Sequence, residues 1–366
     1  MTSTTASSKA TKTVTDDDIY RQSSQFKKWS FTPTQLAARR LQTNTNGREF
    51  VKQSFLAADL DPAMAKILSV DEELTMVNYM CSQSEGIAQV LNLPSKVKAT
   101  AVLFFKKFFL INSVMVYSDP VKVLHTCFFL ATKAENHFFS INQFCKYTGA
   151  VAKDVLQLEF VVMQSMLFSL SAQSAYTPLH GFYLDIQTSL PHVPASTVGS
   201  LYDGARKYVS LSFLTDANFL FTPPQISLAA MMCTNSQITE QYLRVKMSDP
   251  AQFNLTTKLV QECVDMLQKV DKPTKEYVQE IGKKLRSCDV EKTKARLLKR
   301  KLKEQGEGDA KKQKLDSETP QPPDMSNSAS TEPASAEASA SASASTTDAS
   351  APASASASAS ASTEQS

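Results

Sequence analysis

One displacement, 104 positions, brings the middle of this chain into register with itself. Ala101 meets Ala205, Phe104 meets Tyr208 and Leu110 meets Leu214. Further on, Tyr117 meets Phe221, Pro120 meets Pro224 and Leu124 meets Leu228, then Val155 meets Leu259, Phe160 meets Val264 and Met163 meets Leu267. A single offset that aligns helix, cap and helix again over about 70 residues marks an internal duplication. Each copy is longer than 100 residues, so the copies are domains and not solenoid units. The fold predicted is all-α: two tandem five-helix units at about 60–172 and 173–272, with helices outside them.

The local signals agree. Thr32-Pro33-Thr34-Gln35 reads as a capping box with proline in the first turn, opening a helix to about Thr43. Asp71-Glu72-Glu73 opens a second helix to about Leu91, Lys96–Ile111 is a third, and Asp119-Pro120 opens a fourth with Leu124, Cys127, Phe128 and Ala131 at helical spacing. Ser140–Tyr147 is short. Ala152–Leu170 is apolar nearly all round, the pattern of a helix enclosed by others. Thr222-Pro223-Pro224-Gln225 repeats the capped start in the second copy. An N-terminal helix and linker are expected over 23–59 and one C-terminal helix over 273–303.

Composition sets the ends apart. After Met325 there is no Val, Ile, Leu, Phe, Tyr or Trp, so that part cannot bury enough apolar surface to offset ordering, and 304–366 is expected to be disordered. Residues 1–22 are similarly polar and carry the same expectation. Residues 1–282 hold 26 bases and 24 acids, whereas 283–316 hold 13 bases and 6 acids. The helical body therefore lacks the electrostatic footprint of a nucleic-acid binder. The N-terminus has no apolar core of a signal peptide, and Lys106 and Lys107 interrupt the longest apolar run, so an intracellular protein with no membrane contact is expected. Six cysteines without a C-x-x-C pair point to a reducing compartment and no structural zinc.

Enzyme chemistry is missing. The nine glycines form neither G-x-G-x-x-G nor G-x-x-x-x-G-K, and His125, His137, His180 and His192 have neither metal-ligand spacing nor a nucleophile motif. No catalytic residue, metal or cofactor is expected. Two charged residues stand out instead. Lys133 closes the apolar run Phe128-Phe129-Leu130-Ala131-Thr132-Lys133-Ala134-Glu135, and Glu159 lies between Leu158 and Phe160. A carboxylate in such a setting is costly unless it is paired or faces a surface that a partner covers. At the 104-residue offset their counterparts are Gln237 and Cys263, so the shared fold does not require them. A local helix–helix salt bridge and a partner-facing pair both fit.

These residues carry a resemblance. Phe128–Glu135 resembles the "LA-K-E" signature of the cyclin box, and Leu158-Glu159-Phe160 through Met166-Leu167-Phe168-Ser169-Leu170 resembles its fifth helix. Within the cyclin family the similarity is greatest to the cyclin H branch. It rests on Ser23-Ser24-Gln25 followed by Trp29 and Phe31, Asn112-Ser113-Val114-Met115 with Tyr117, Tyr176-Thr177-Pro178 with Gly181-Phe182, and Leu214-Thr215-Asp216-Ala217 followed by Thr222–Ile226. It spans about Tyr20 to Lys284. The M-R-A-I-L docking motif of cell-cycle cyclins is absent, as in transcription cyclins, and the Ser/Ala-rich tail departs from the family.

The resemblance implies a regulatory subunit, not an enzyme. Its partners would be a cyclin-dependent kinase of the CDK-activating class, a RING-finger assembly factor and the core of the general transcription factor TFIIH. Lys133 and Glu159 would grip the kinase, with Phe168 and Leu170 adding apolar contact. Two other readings stand beside it, a C-type cyclin of a Mediator-associated kinase and a DNA-binding cyclin-fold factor resembling TFIIB. A nuclear location follows from the first. Lys299, Arg300 and Lys301, with Lys311 and Lys312 about ten residues on, resemble a bipartite import signal.

Overall fold

The structure, a computed structural model, describes residues 16–270 and 273–300. All regular structure among them is helical. A leading arm holds α1 (Asp16–Gln22), α2 (Ser24–Trp29) and α3 (Pro33–Leu56), followed by a 3-10 turn at Pro62–Met64. The first five-helix unit comprises α4 (Val70–Val90), α5 (Ser95–Ile111), α6 (Pro120–Ala134), α7 (Ile141–Thr148) and α8 (Ala152–Ser165). The second comprises α9 (Tyr176–Ser189), α10 (Ala195–Ser212), α12 (Pro223–Thr234), α13 (Ser236–Lys246) and α14 (Pro250–Gln268), with the short α11 (Ala217–Leu220) inserted. The helix α15 (Lys275–Ser287) follows.

The duplication is real in three dimensions. In the first unit α5 packs on α6 and α6 on α8, and in the second α10 packs on α12 and α12 on α14. Val97, Ala101, Phe105 and Phe108 are buried on α5, and Leu201, Ala205, Val209 and Ser212, each 104 positions later, are buried on α10. In the last helix the register slips by one. Buried Val155 and Val162 correspond to buried Val260 and Leu267, which makes Val264 the partner of Glu159 in place of Cys263. Neither counterpart carries a charge.

Four expectations need correction. The polar stretch 1–22 was expected to lack structure, yet residues 16–22 form α1. The capping box at Thr32 and Gln35 opens α3 as predicted, but the helix continues past Thr43 to Leu56. It approaches the loop after α5 so closely that a Cβ on Gly47 would stand 2.3 Å from Ser113 Cβ, leaving room only for glycine. The enclosed helix is α5, buried at every position from Val97 to Leu110, and not α8, whose buried side chains are Val155 and Val162. At the C-terminal end α15 stops at Ser287 and helix resumes over 290–300, where one helix was expected over 273–303. Asp289 starts the second piece, its carboxylate accepting from the Lys292 N–H at 3.1 Å.

The arm joins the two units. Trp29 and Leu36 are buried with Leu110 of the first unit and Phe219 of the second. The Phe31 N–H donates to the Phe219 carbonyl at 2.9 Å, and Arg40 donates through both terminal nitrogens to Asp216, at 2.7 and 2.5 Å. At the other end α15 lies on α4, with Lys284 Nζ 2.5 Å from Glu72 Oε1 and the Lys66 N–H donating to Ser287 Oγ at 2.9 Å.

The two lysines of the apolar run are buried in this core. Lys106 Nζ donates to the carbonyls of Phe213 and Thr215, just past the C-terminal end of α10, where a cation suits the helix dipole. Lys107 Nζ has no hydrogen-bond partner and lies 5.5 Å from the centre of the Trp29 ring. Burial drives its pKa from the ordinary 10.5 down to about 8. Below pH 8 the amine is charged in both folded and unfolded chains, and the full desolvation cost opposes folding. Between about pH 8 and 10.5 the folded chain releases a proton that the unfolded chain keeps, so stability rises with pH across that window. Lys107→Met is therefore expected to stabilise the protein by about 2–3 kcal/mol at neutral pH. Urea denaturation of both proteins at pH 7 and pH 10 checks this: the difference should shrink at the higher pH, and a constant difference refutes the account.

Candidate functional site: an ion pair beside an exposed apolar corner

Lys133 lies in the last turn of α6, where its charge suits the helix dipole, and Glu159 in the middle of α8. Packing of α6 on α8 brings them together, and Lys133 Nζ donates to Glu159 Oε1. Lys133 also stands 4.6 Å from the centre of the Phe129 ring. The Glu159 side chain is 14% exposed and that of Lys133 37% exposed, so the pair sits at the edge of the core with one end in solvent. The salt bridge between helices is thus formed within the chain, and its open end leaves it accessible to a partner. Glu135, the other acid of the motif, serves the fold: it accepts from Thr100 Oγ1 at 2.7 Å and pairs with Lys96 at 2.7 Å.

Beside the pair, α8 and the residues just after it carry apolar side chains into solvent. Leu156 is 49% exposed, Phe160 59%, Leu167 56% and Phe168 60%, and the rings of Phe160 and Phe168 lie 5.8 Å apart. Leu170 is half-buried and packs against the core, which leaves it less surface than Phe168. Large apolar side chains gathered on a surface mark an interaction site more often than a stability device. Phe160, Leu156 and Leu167 were not singled out from the sequence. Their signal was present, because the stretch Ala152–Leu170 is apolar nearly all round, and that pattern fits a docking face as well as an enclosed helix.

The end of α8 explains the geometry of the corner. The helix closes with Phe168 N–H donating to Met163 C=O at 2.9 Å and Leu167 N–H to Gln164 C=O at 2.9 Å. This stop normally uses a glycine in left-handed backbone, but here Leu167 (φ 54°) and Phe168 (φ 55°) adopt it. Such backbone costs a bulky residue on the order of 1–3 kcal/mol and persists only where surrounding contacts hold it. Among the described residues the other left-handed non-glycine positions are Asp59, Asn92 and Asn136, types that tolerate it.

His125, half-buried with its ring edge-on to Phe144, is pushed to lower pKa by burial and behaves as a packing residue. Among the described residues no group of three His, Cys, Asp or Glu side chains is arranged to hold a metal ion, and no helix is long and apolar enough to cross a membrane. Of the basic segment, Lys299 and Arg300 lie on the exposed helix at 290–300, while Lys301, Lys311 and Lys312 fall outside the described residues.

Two five-helix units in tandem, with a Lys–Glu pair confined to the first, define a cyclin-box protein. Residues 71–171 match the cyclin N-terminal domain and residues 174–270 the cyclin C-terminal domain, and the chain belongs to the cyclin family. Its similarity is to the H-type branch of that family. It is 39% identical over 247 residues to cyclin CCL1 of Saccharomyces cerevisiae, a match covering 64% of this chain and 63% of the relative. A chain of the CAK complex from Chaetomium thermophilum bound to ATP-gamma-S superposes with a TM-score of 0.70 at 29% identity, covering 78% of this chain and 95% of that one. A chain of the yeast TFIIK (Kin28/Ccl1/Tfb3) complex gives 0.58 at 37% identity, over 68% and 100%.

Proposed function

We propose that this chain is the regulatory subunit of a cyclin-dependent kinase of the CDK-activating class. It binds that kinase through the first box, at the Lys133–Glu159 pair and the corner formed by Phe160 and Phe168. The observation that carries the reading is the pair itself: charged, open to solvent at one end, flanked by exposed aromatic rings, and absent from the second box. The chain supplies no catalytic group. It acts by holding the kinase's regulatory helix inward, so that the small-lobe Lys–Glu pair and the metal-binding segment reach working geometry. Similarity to chains of the CAK and TFIIK complexes supports a role in transcription, with a RING-finger assembly factor and the TFIIH core as further partners. The same assemblies weigh against the C-type alternative. The DNA-binding alternative has little support, because bases concentrate on α15 and residues 290–300, outside both boxes. Mixing the purified chain with a CDK-activating-class kinase subunit should yield one complex on size exclusion. It should also raise phosphorylation of a peptide from the RNA polymerase II C-terminal domain. Two separate peaks and unchanged activity refute the reading.

This role is nuclear, and we propose that Lys299, Arg300, Lys301, Lys311 and Lys312 act in import. Replacing all five by alanine should shift a tagged chain to the cytoplasm in cells where kinase binding is also disabled. Unchanged nuclear accumulation rules the segment out.

A further inference from the structure

We infer that Gln25 is a positioning residue for kinase docking, acting on the kinase-facing corner through Gln173, 148 positions on in sequence. The inference rests on the kinase-binding reading and deepens it, by naming the contact that fixes Phe168. Gln25 lies on α2 and is 5% exposed. Its carboxamide reads both polar groups of one peptide unit pair: Nε2 donates to the Gln173 carbonyl at 2.8 Å, and Oε1 accepts from the Gln173 N–H at 2.8 Å. One residue earlier, Ser24 Oγ is hydrogen-bonded to Ser169 Oγ. The α2 helix is itself fixed, by the Ser23 cap at one end and buried Trp29 at the other. Two neighbouring side chains of an anchored helix therefore clasp the segment 169–173.

That segment needs holding. Leu167 and Phe168 sit in left-handed backbone with no glycine to make it comfortable, and the sequence from Ala152 to Leu170 is apolar enough to continue as helix. If α8 ran on, Phe168 would lie two turns beyond Phe160, about 12 Å along the axis at 1.5 Å per residue. In the structure the two rings are 5.8 Å apart and form one exposed patch. Pulling Gln173 and Ser169 toward α2 opposes that extension, so the clasp sets where Phe168 points. The backbone hydrogen bonds of the Gln25 side chain go to Gln173, outside the proposed docking residues, so its effect on docking runs through the segment it holds.

The test uses the full chain, a purified CDK-activating-class kinase subunit, and the variants Gln25→Ala, Phe168→Ala and their combination. In the free chain, Gln25→Ala should speed amide exchange over 167–173 by about tenfold or more, as expected for loss of two buried hydrogen bonds. Kinase affinity should fall by about tenfold, and Gln25→Glu, which sets a buried carboxylate oxygen against the Gln173 carbonyl, should fall at least as far. Because Gln25 acts through Phe168, adding Gln25→Ala to Phe168→Ala should cost no further affinity, whereas a general structural role predicts additive losses. Additive losses, or unchanged exchange over 167–173, overturn the inference. Failure of the unaltered chain to bind the kinase overturns the docking reading and the role given to Gln25 within it. The exchange measurement then still decides, without the kinase, whether Gln25 holds the segment.

Discussion

Replacing Glu159 by alanine is expected to weaken kinase binding by about 2–5 kcal/mol, a loss of roughly thirty- to several-thousandfold in affinity. The magnitude follows from what the partner's surface would cover. Once docked, Lys133 and Glu159 are shut off from water, and removal of the carboxylate strands the ammonium in the interface. In the free chain the same substitution should change stability by less than about 1 kcal/mol, because Lys133 is already partly in water and turns outward. Titration against the kinase, with thermal melting of the isolated variant, separates the two effects. An early melt with affinity intact would make the pair a structural bridge between α6 and α8 and remove it from the docking surface.

What the sequence disclosed and what it hid both have physical reasons. Helix starts were legible because they are written locally: Thr32 with Gln35 and Thr222 with Gln225 form the capping boxes that the spacing predicts. The cap of α4 is Ser69, bonded reciprocally with Glu72, two positions before the acids that signalled the helix. Helix ends were harder. The expected stop near Thr43 failed because Thr43 and Asn44, poor residues for a helix interior, turn inward to bind the Leu110 and Leu68 carbonyls, so tertiary contacts carry the helix onward. The stop of α8 at Ser165 was invisible because it is followed by left-handed backbone at Leu167 and Phe168, residue types that almost never adopt it. The pair itself was legible, since a carboxylate amid apolar neighbours and absent from the second copy asks for an explanation. The exposed Phe160 was not, because periodicity counts apolar residues and cannot tell a core from a face awaiting a partner.

A second large effect is expected at the only tryptophan of the chain. Trp29 is 3% exposed and packs with Leu36, Leu110 and Phe219, so Trp29→Ala should cost about 3–5 kcal/mol of arm docking. The lower end is favoured, because the vacated space lets water reach Lys107, whose unpartnered amine then recovers some hydration. The boxes should keep their helicity by circular dichroism while protease begins to cut near residue 30. Kinase activation should fall as well, since Gln25 leaves with the arm. As the chain holds one tryptophan, its fluorescence in the unaltered protein reports docking of the arm directly. A variant that resists protease and activates the kinase normally would show that the arm stays in place without its anchor.

The arm is made before the surfaces that will cover it. Trp29 and Leu36 are made long before Leu110, and Phe219 follows Trp29 by 190 residues. At ordinary rates of synthesis that interval is about 10–40 seconds. Until its end the indole and its neighbours Phe31 and Leu36 lack the complete surface that covers them, and Gln173, the partner of Gln25, is made only late in the interval. The nascent chain thus carries an unsheltered apolar segment ahead of the first box while that box forms. That is the kind of segment chaperones bind, and it ties the yield of the finished subunit to how well its beginning is protected until its middle has been made.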